Sequence, residues 1–186
     1  MMREVSSALY GALRLAQLDP RGLRFFNATA AGFWRSFFAA VMVAPLYAIL
    51  LFVRYLTGHE SAPVPRYVAV ETIAYVIAWV AFPVAMDPLS RLFGRSQRYI
   101  PYIVAYNWAA VWQNALYLPL AVFGLTGTVP GPVYSVLNIA ALTLILFYGW
   151  FIARTALQVT APTAAGVVVF DFLLSLFING FADRLL

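Results

Sequence analysis

The chain has 186 residues, 63% of them hydrophobic and only 10% charged, against about 25% charged in an ordinary soluble domain. So apolar a chain cannot clothe a water-facing surface, and with no cysteine and one histidine, His59, it excludes disulfides, cysteine nucleophiles and zinc or haem centres. All 12 basic residues are arginine, and the net charge of +5 points to topology and anionic-lipid contact, not to nucleic acid.

Five long apolar runs leave little length for a soluble domain. The expected fold is all-α: a polytopic membrane helical bundle of five transmembrane helices, preceded by an N-terminal amphipathic interfacial helix. Residues 1–32 read as a cytoplasmic interfacial segment and 33–186 as the membrane domain. Arg14, Arg21 and Arg24 interrupt the place where a signal peptide would need its apolar core. On a helical wheel Val5, Ala8, Leu9, Ala12, Leu13, Leu15 and Ala16 fall on one side. Arg3, Ser6, Ser7, Tyr10, Arg14 and Gln17 fall on the other, the pattern of a helix lying in the headgroup plane with its apolar side down. Asp19-Pro20 marks a turn.

The spans are expected at about 36–55, 67–86, 99–123, 133–154 and 164–182, each near the 20 residues that cross a ~30 Å hydrocarbon core. Pro45 should kink the first. Loops are read at TGHESAPVPR (57–66), DPLSRLFGRSQR (87–98), TGTVPGP (126–132) and LQVTAPTAAG (157–166). An N-terminus in the cytoplasm puts nine arginines inside and leaves Arg54, Arg66 and Arg184 outside, so the positive-inside bias selects N-in, C-out. Arg91, Arg95 and Arg98 then form a cytoplasmic turn suited to anionic lipid.

The third span, YIPYIVAYNWAAVWQNALYLPLAVFGL, carries Asn107, Gln113 and Asn114 inside apolar sequence. At 1.5 Å per residue Asn107 lies roughly 12 Å from the inner boundary and Asp171 of the fifth span about 10 Å. An outer layer holds Glu71, Gln113, Asn114, Asn138 and Asn179, with Arg54 just above it and expected to pair with Glu71. Asn107 and Asn114, seven apart, share a helix face, and Tyr99, Tyr102, Tyr106, Gln113 and Tyr117 form the neighbouring stripe. The carboxamides suit interhelical hydrogen bonds worth ~0.6 kcal/mol each. A carboxylate as deep as Asp171 costs about 2.5–3.5 kcal/mol to insert, which marks a candidate proton or ion site. Holding its proton, Asp171 would donate to Asn107.

Enzymatic chemistry finds no footing. His59 sits alone in a loop, no serine–histidine or phosphate-loop pattern occurs, and Glu71 and Asp171 differ by roughly 14 Å in depth, too far to share a proton. No cofactor is expected. The lead-in LAQLDPRGLRFF (15–26), followed by five tightly spaced spans with N-in and C-out, resembles the Yip1 family of small membrane proteins. The resemblance implies a five-span, non-enzymatic membrane protein, in a bacterium an inner-membrane one. The DLYGP-type motif of eukaryotic members has no counterpart, so their GTPase-linked partnerships and site residues are not carried over. The expected function is a non-enzymatic scaffold, accessory subunit or bilayer-shaping protein with a protein partner or homo-oligomer in the membrane. The alternative is a small ion- or proton-coupled transporter or channel using Asp171 and Asn107.

Overall fold

The computed structural model describes residues 2–58 and 62–186, so His59 and the middle of the first polar loop lie outside the described residues. Seven α-helices follow one another: α1 (Met2–Ala16), α2 (Ala30–Ser36), α3 (Phe38–Leu56), α4 (Val64–Leu92), α5 (Tyr99–Thr126), α6 (Gly131–Leu157) and α7 (Ala161–Arg184). Short 3-10 helices at Pro20–Phe25 and Ser96–Arg98 complete the described chain. Five stretches are long and apolar enough to cross a membrane, α2 with α3 forming the first.

The span ends differ from the sequence expectation in one direction: the helices are longer. The 87–98 loop is largely helical, because α4 runs to Leu92. Arg91 pairs with Asp87 one turn back at 2.7 Å, and the Ser90 hydroxyl donates to the Asp87 carbonyl at 2.8 Å. These contacts hold the last turn despite Pro88. The 157–166 turn contracts to three residues, with Gln158 at φ 55° and the Thr160 hydroxyl accepting from the Thr163 amide to start α7. The first span begins early, at Ala30, where Thr29 caps α2, and a break at Phe37 passes it to α3.

α5 is the axis of the molecule, flanked most closely by α3 and α6; α7 packs on α6 and α4. Small side chains let α5 and α6 approach: Ala105, Ala109, Ala153 and Ala156 are all buried in one cluster with Ile103 and Ile152. We call the end where α4 turns into α5 the lower end, and the end where α3 leads toward α4 the upper.

α1 departs from the reading of a helix resting on lipid. Ala8, Gly11, Ala12 and Leu15, at helical spacing, are buried, and they face protein. The Trp112 indole of α5 donates to the Leu9 carbonyl at 3.0 Å, and the Tyr148 hydroxyl of α6 to the Ala12 carbonyl at 2.6 Å. Leu13 and Ala16, assigned to the same apolar side, stand exposed. A helical wheel cannot distinguish a face meant for lipid from one meant for protein; the small residues in the stripe decide it here. The following turn folds back on α1 so closely that a Cβ on Gly11 or on Gly22 would collide with the other's carbonyl oxygen.

Charged contacts pin this lead-in. Glu4 accepts from Asn27 at 2.9 Å and from Arg35 at 2.7 Å, and Arg14 forks onto Asp19. Asn27 and then Arg35 hold the Glu4 carboxyl below its ordinary range; the Arg21 amide, then Arg14, does the same for Asp19.

Candidate functional site

Helices α3 to α7 enclose a cleft of about 770 Å³, within the range of small-molecule sites. It exists because α4, packed on α7, stands off from α3 and α5. Large side chains span the gap: the Tyr75 hydroxyl reaches the Ala40 carbonyl at 2.7 Å, and the Tyr67 hydroxyl the Leu51 carbonyl at 3.1 Å. The Tyr47 and Tyr75 rings stack with centroids 4.8 Å apart. Phenols at these positions act as struts where alanines would have let the backbones close.

Two polar ends face each other along the cleft. In its lower half Asp171 of α7 accepts from the Tyr106 hydroxyl of α5 at 2.9 Å through Oδ1, with Tyr102 alongside. No protein donor among the described residues reaches Asp171 Oδ2. At the upper end Glu71 is 4% exposed and accepts from the Tyr47 hydroxyl at 2.8 Å and from Arg54 at 3.4 Å. The same Arg54 donates to Asp183 at 2.8 Å, so one guanidinium ties α3 to both α4 and α7. Twelve residues of α7 put Asp171 and Asp183 about 18 Å apart. Three carboxylates against one guanidinium leave the described lining with a negative excess.

The expected layers resolve unevenly. The Glu71–Arg54 pair forms as anticipated. Asn107 and Asp171 share a depth but do not meet. Asn107 is fully buried on the other side of α5, where its Nδ2 donates to Ser36 Oγ at 2.8 Å and Ser36 passes a hydrogen bond to the Phe33 carbonyl at 2.6 Å. Among the described residues its Oδ1 has no partner. The residue beside it, Tyr106, takes Asp171, because one residue turns the helix by about 100°.

Asn114 does line the cleft, although it shares a helix face with Asn107. That face meets the α2–α3 joint low down and the open cleft higher up. The Asn114 amide turns back to its own Ala110 carbonyl at 2.8 Å. Gln113 and Asn179 also line the cleft, whereas Asn138 is half-buried on α6 outside it. Arg91, Arg95 and Arg98 stand exposed around the α4–α5 turn.

Sequence reasoning missed Asp183 and Tyr47. Asp183 was placed with the tail beyond the fifth span, yet α7 continues through it. The ladder Asp171, Ser175, Asn179, Asp183, at four-residue spacing, lies entirely on the cleft and was the available signal. Tyr47 lies seven residues before Arg54, on the same face of α3.

The fold and the cleft together define an all-α protein of the integral-membrane class, with five candidate spans around a polar interior. No protein-family model, curated protein or solved structure matches the chain, and a functional reading stands on the cleft alone.

Proposed function

We propose that this chain is a small ion- or proton-coupled transporter, non-enzymatic, of a bacterial inner membrane, with its N-terminus in the cytoplasm. The cleft holds the solute, and Asp171 is the group whose charge changes as the solute moves. The observation that carries this reading is Asp171 itself, which lines a large cleft at membrane depth and, among the described residues, has no basic partner and an Oδ2 that no protein donor reaches. A group so placed at membrane depth requires a proton, water or a cation. Asn107, turned away onto Ser36, has no part in it. The positive-inside bias supports the orientation, which directs the Arg54 strap outward.

The test is flux. Protein reconstituted in liposomes under an imposed pH or ion gradient should carry a dye-reported current that Asp171→Ala abolishes and Asp171→Glu retains. Equal flux from wild type and Asp171→Asn sinks the coupling role.

A second reading, the scaffold or accessory subunit of Yip1-like kind, draws support from the docked lead-in. Arg3, Ser6 and Tyr10 stand exposed on α1, and Gln17 just past its end, available to a cytoplasmic partner. It predicts a copurifying protein or homo-oligomer, and silent liposomes.

A further inference from the structure

We infer that the cleft selects small organic cations, an ammonium or phosphonium centre bearing apolar groups, and holds them between its aromatic rings and Asp171. The inference rests on the reading of the cleft as a solute site and names the class of solute.

Charge is the first argument. The upper carboxylates, Glu71 and Asp183, already share Arg54, whereas Asp171 lies about 18 Å along α7 from Asp183 and, among the described residues, has a phenol as its one hydrogen-bond partner. An anion entering the cleft would meet an uncompensated carboxylate and no spare cation among the described lining residues. A cation would complete the pair that the protein leaves half-made.

Ring chemistry is the second. Tyr75, Trp79, Tyr102, Tyr106 and Tyr117 all line the space. Aromatic faces attract a cation through the ring quadrupole, most when it is desolvated, and recognition of quaternary ammonium groups is the usual outcome of such a lining. A neutral solute would use the rings but not the charge.

Size and hydration separate an organic cation from a metal ion. A calcium ion wants six to eight oxygens at about 2.3–2.6 Å, and magnesium a near-octahedral set. Among the described residues no three carboxylate or imidazole side chains gather to hold one. A volume near 770 Å³ is far larger than an ion needs and suits a solute with apolar arms. The half-apolar lining, with Leu50, Ile145 and Val168 among the rings, gives those arms contact.

The closing experiment uses two probes of matched shape and opposite charge, tetraphenylphosphonium and tetraphenylborate, with the full chain in nanodiscs and empty nanodiscs subtracted. In phosphatidylglycerol discs the cation should bind saturably, and the anion at least about ten-fold more weakly, the size of one desolvated cation–ring contact or more. Asp171→Asn should weaken the cation by about ten-fold or more, Trp79→Leu by about five-fold, and Asp171→Glu by under about three-fold. Discs of equal phosphatidylglycerol content, with the balance phosphatidylcholine in one set and an uncharged glycolipid in the other, identify the source at constant surface charge: weaker tetraphenylphosphonium binding in the phosphatidylcholine set means a lipid choline headgroup occupies the same cation site, and equal binding means a free solute does. Equal affinity for both probes, or an Asp171→Asn protein that still elutes as folded and binds the cation like wild type, overturns the inference. Flux of a neutral or anionic solute that depends on Asp171, without cation binding, removes the cation class and leaves the transporter standing. Asp171-dependent cation binding without flux of any solute keeps the site and removes the transporter.

Discussion

The two sides of α5 are built from the same apolar alphabet and come out differently. Toward α6 and α1 the buried residues are small, Ala105, Ala109, Ala153, Ala156, Ala8 and Ala12, and the helices pack closely. Toward α4 and α7 the residues are Tyr47, Tyr75, Trp79 and Tyr106, and the helices stay apart around a space of about 770 Å³. Side-chain size sets helix separation in lipid, where no water-driven collapse would squeeze a gap shut. Packing density is therefore a local choice, dense where the bundle must hold and open where a solute could sit.

That contrast can be broken most forcefully at the upper strap. Arg54→Leu leaves Glu71, with side-chain exposure of 5%, holding a charge whose cation is gone. We expect a loss of about 3 kcal/mol, near the foot of the range for halving a buried pair because Tyr47 still donates. Reversible unfolding in mixed micelles measures it, and Glu71→Gln in the same background should recover most of the loss.

A matched pair of overpacking variants sharpens the comparison next. Ala153→Phe on the dense side should cost about 1–3 kcal/mol, since Ala153 has no exposed surface and nowhere to put a ring. Ala110→Phe, one α5 residue facing the cleft, should cost under about 1 kcal/mol while filling the space. Equal destabilisation by the two would mean that the cleft is not open in the membrane.

Asn107 offers a smaller effect. Asn107→Leu removes the bond to Ser36 but also removes the orphaned Oδ1, so the two changes offset to within about 1 kcal/mol. Asn107→Ala leaves a cavity in addition and should be clearly worse in the same unfolding measurement.

The smallest expected effect is on the lead-in. Glu4 and Asp19 have folded-state pKa values held below their ordinary ones, so their stabilisation is present above that ordinary range, about pH 4, and fades as pH falls through the folded values. Amide protection in residues 2–26, exchange taken relative to the intrinsic rate at each pH, should fall under acid before protection in the spans does. Protection that stays flat while pH falls well below 4 would remove these carboxylates from the docking.

Span number and polar depth were legible because both follow from one coordinate, the rise along a helix. Glu71 and Arg54 were matched by height and do meet. Asn107 and Asp171 were matched by the same rule and do not, because height carries no information about which neighbour stands at a given azimuth. Asp183 escaped notice because the fifth span was closed at 182, two residues before α7 ends. The face of α1 was visible as a stripe, but its partner was not, since the contacts that claim it come from α5 and α6.

Those contacts carry a consequence for assembly. The Leu9 and Ala12 carbonyls receive donors 103 and 136 positions further along the chain. During synthesis α1 leaves the ribosome long before Trp112 or Tyr148 is made, so it waits, undocked from α5 and α6, while span after span enters the bilayer. It is made before those partners and locks onto them afterwards, a clasp fastened once the sixth helix has arrived.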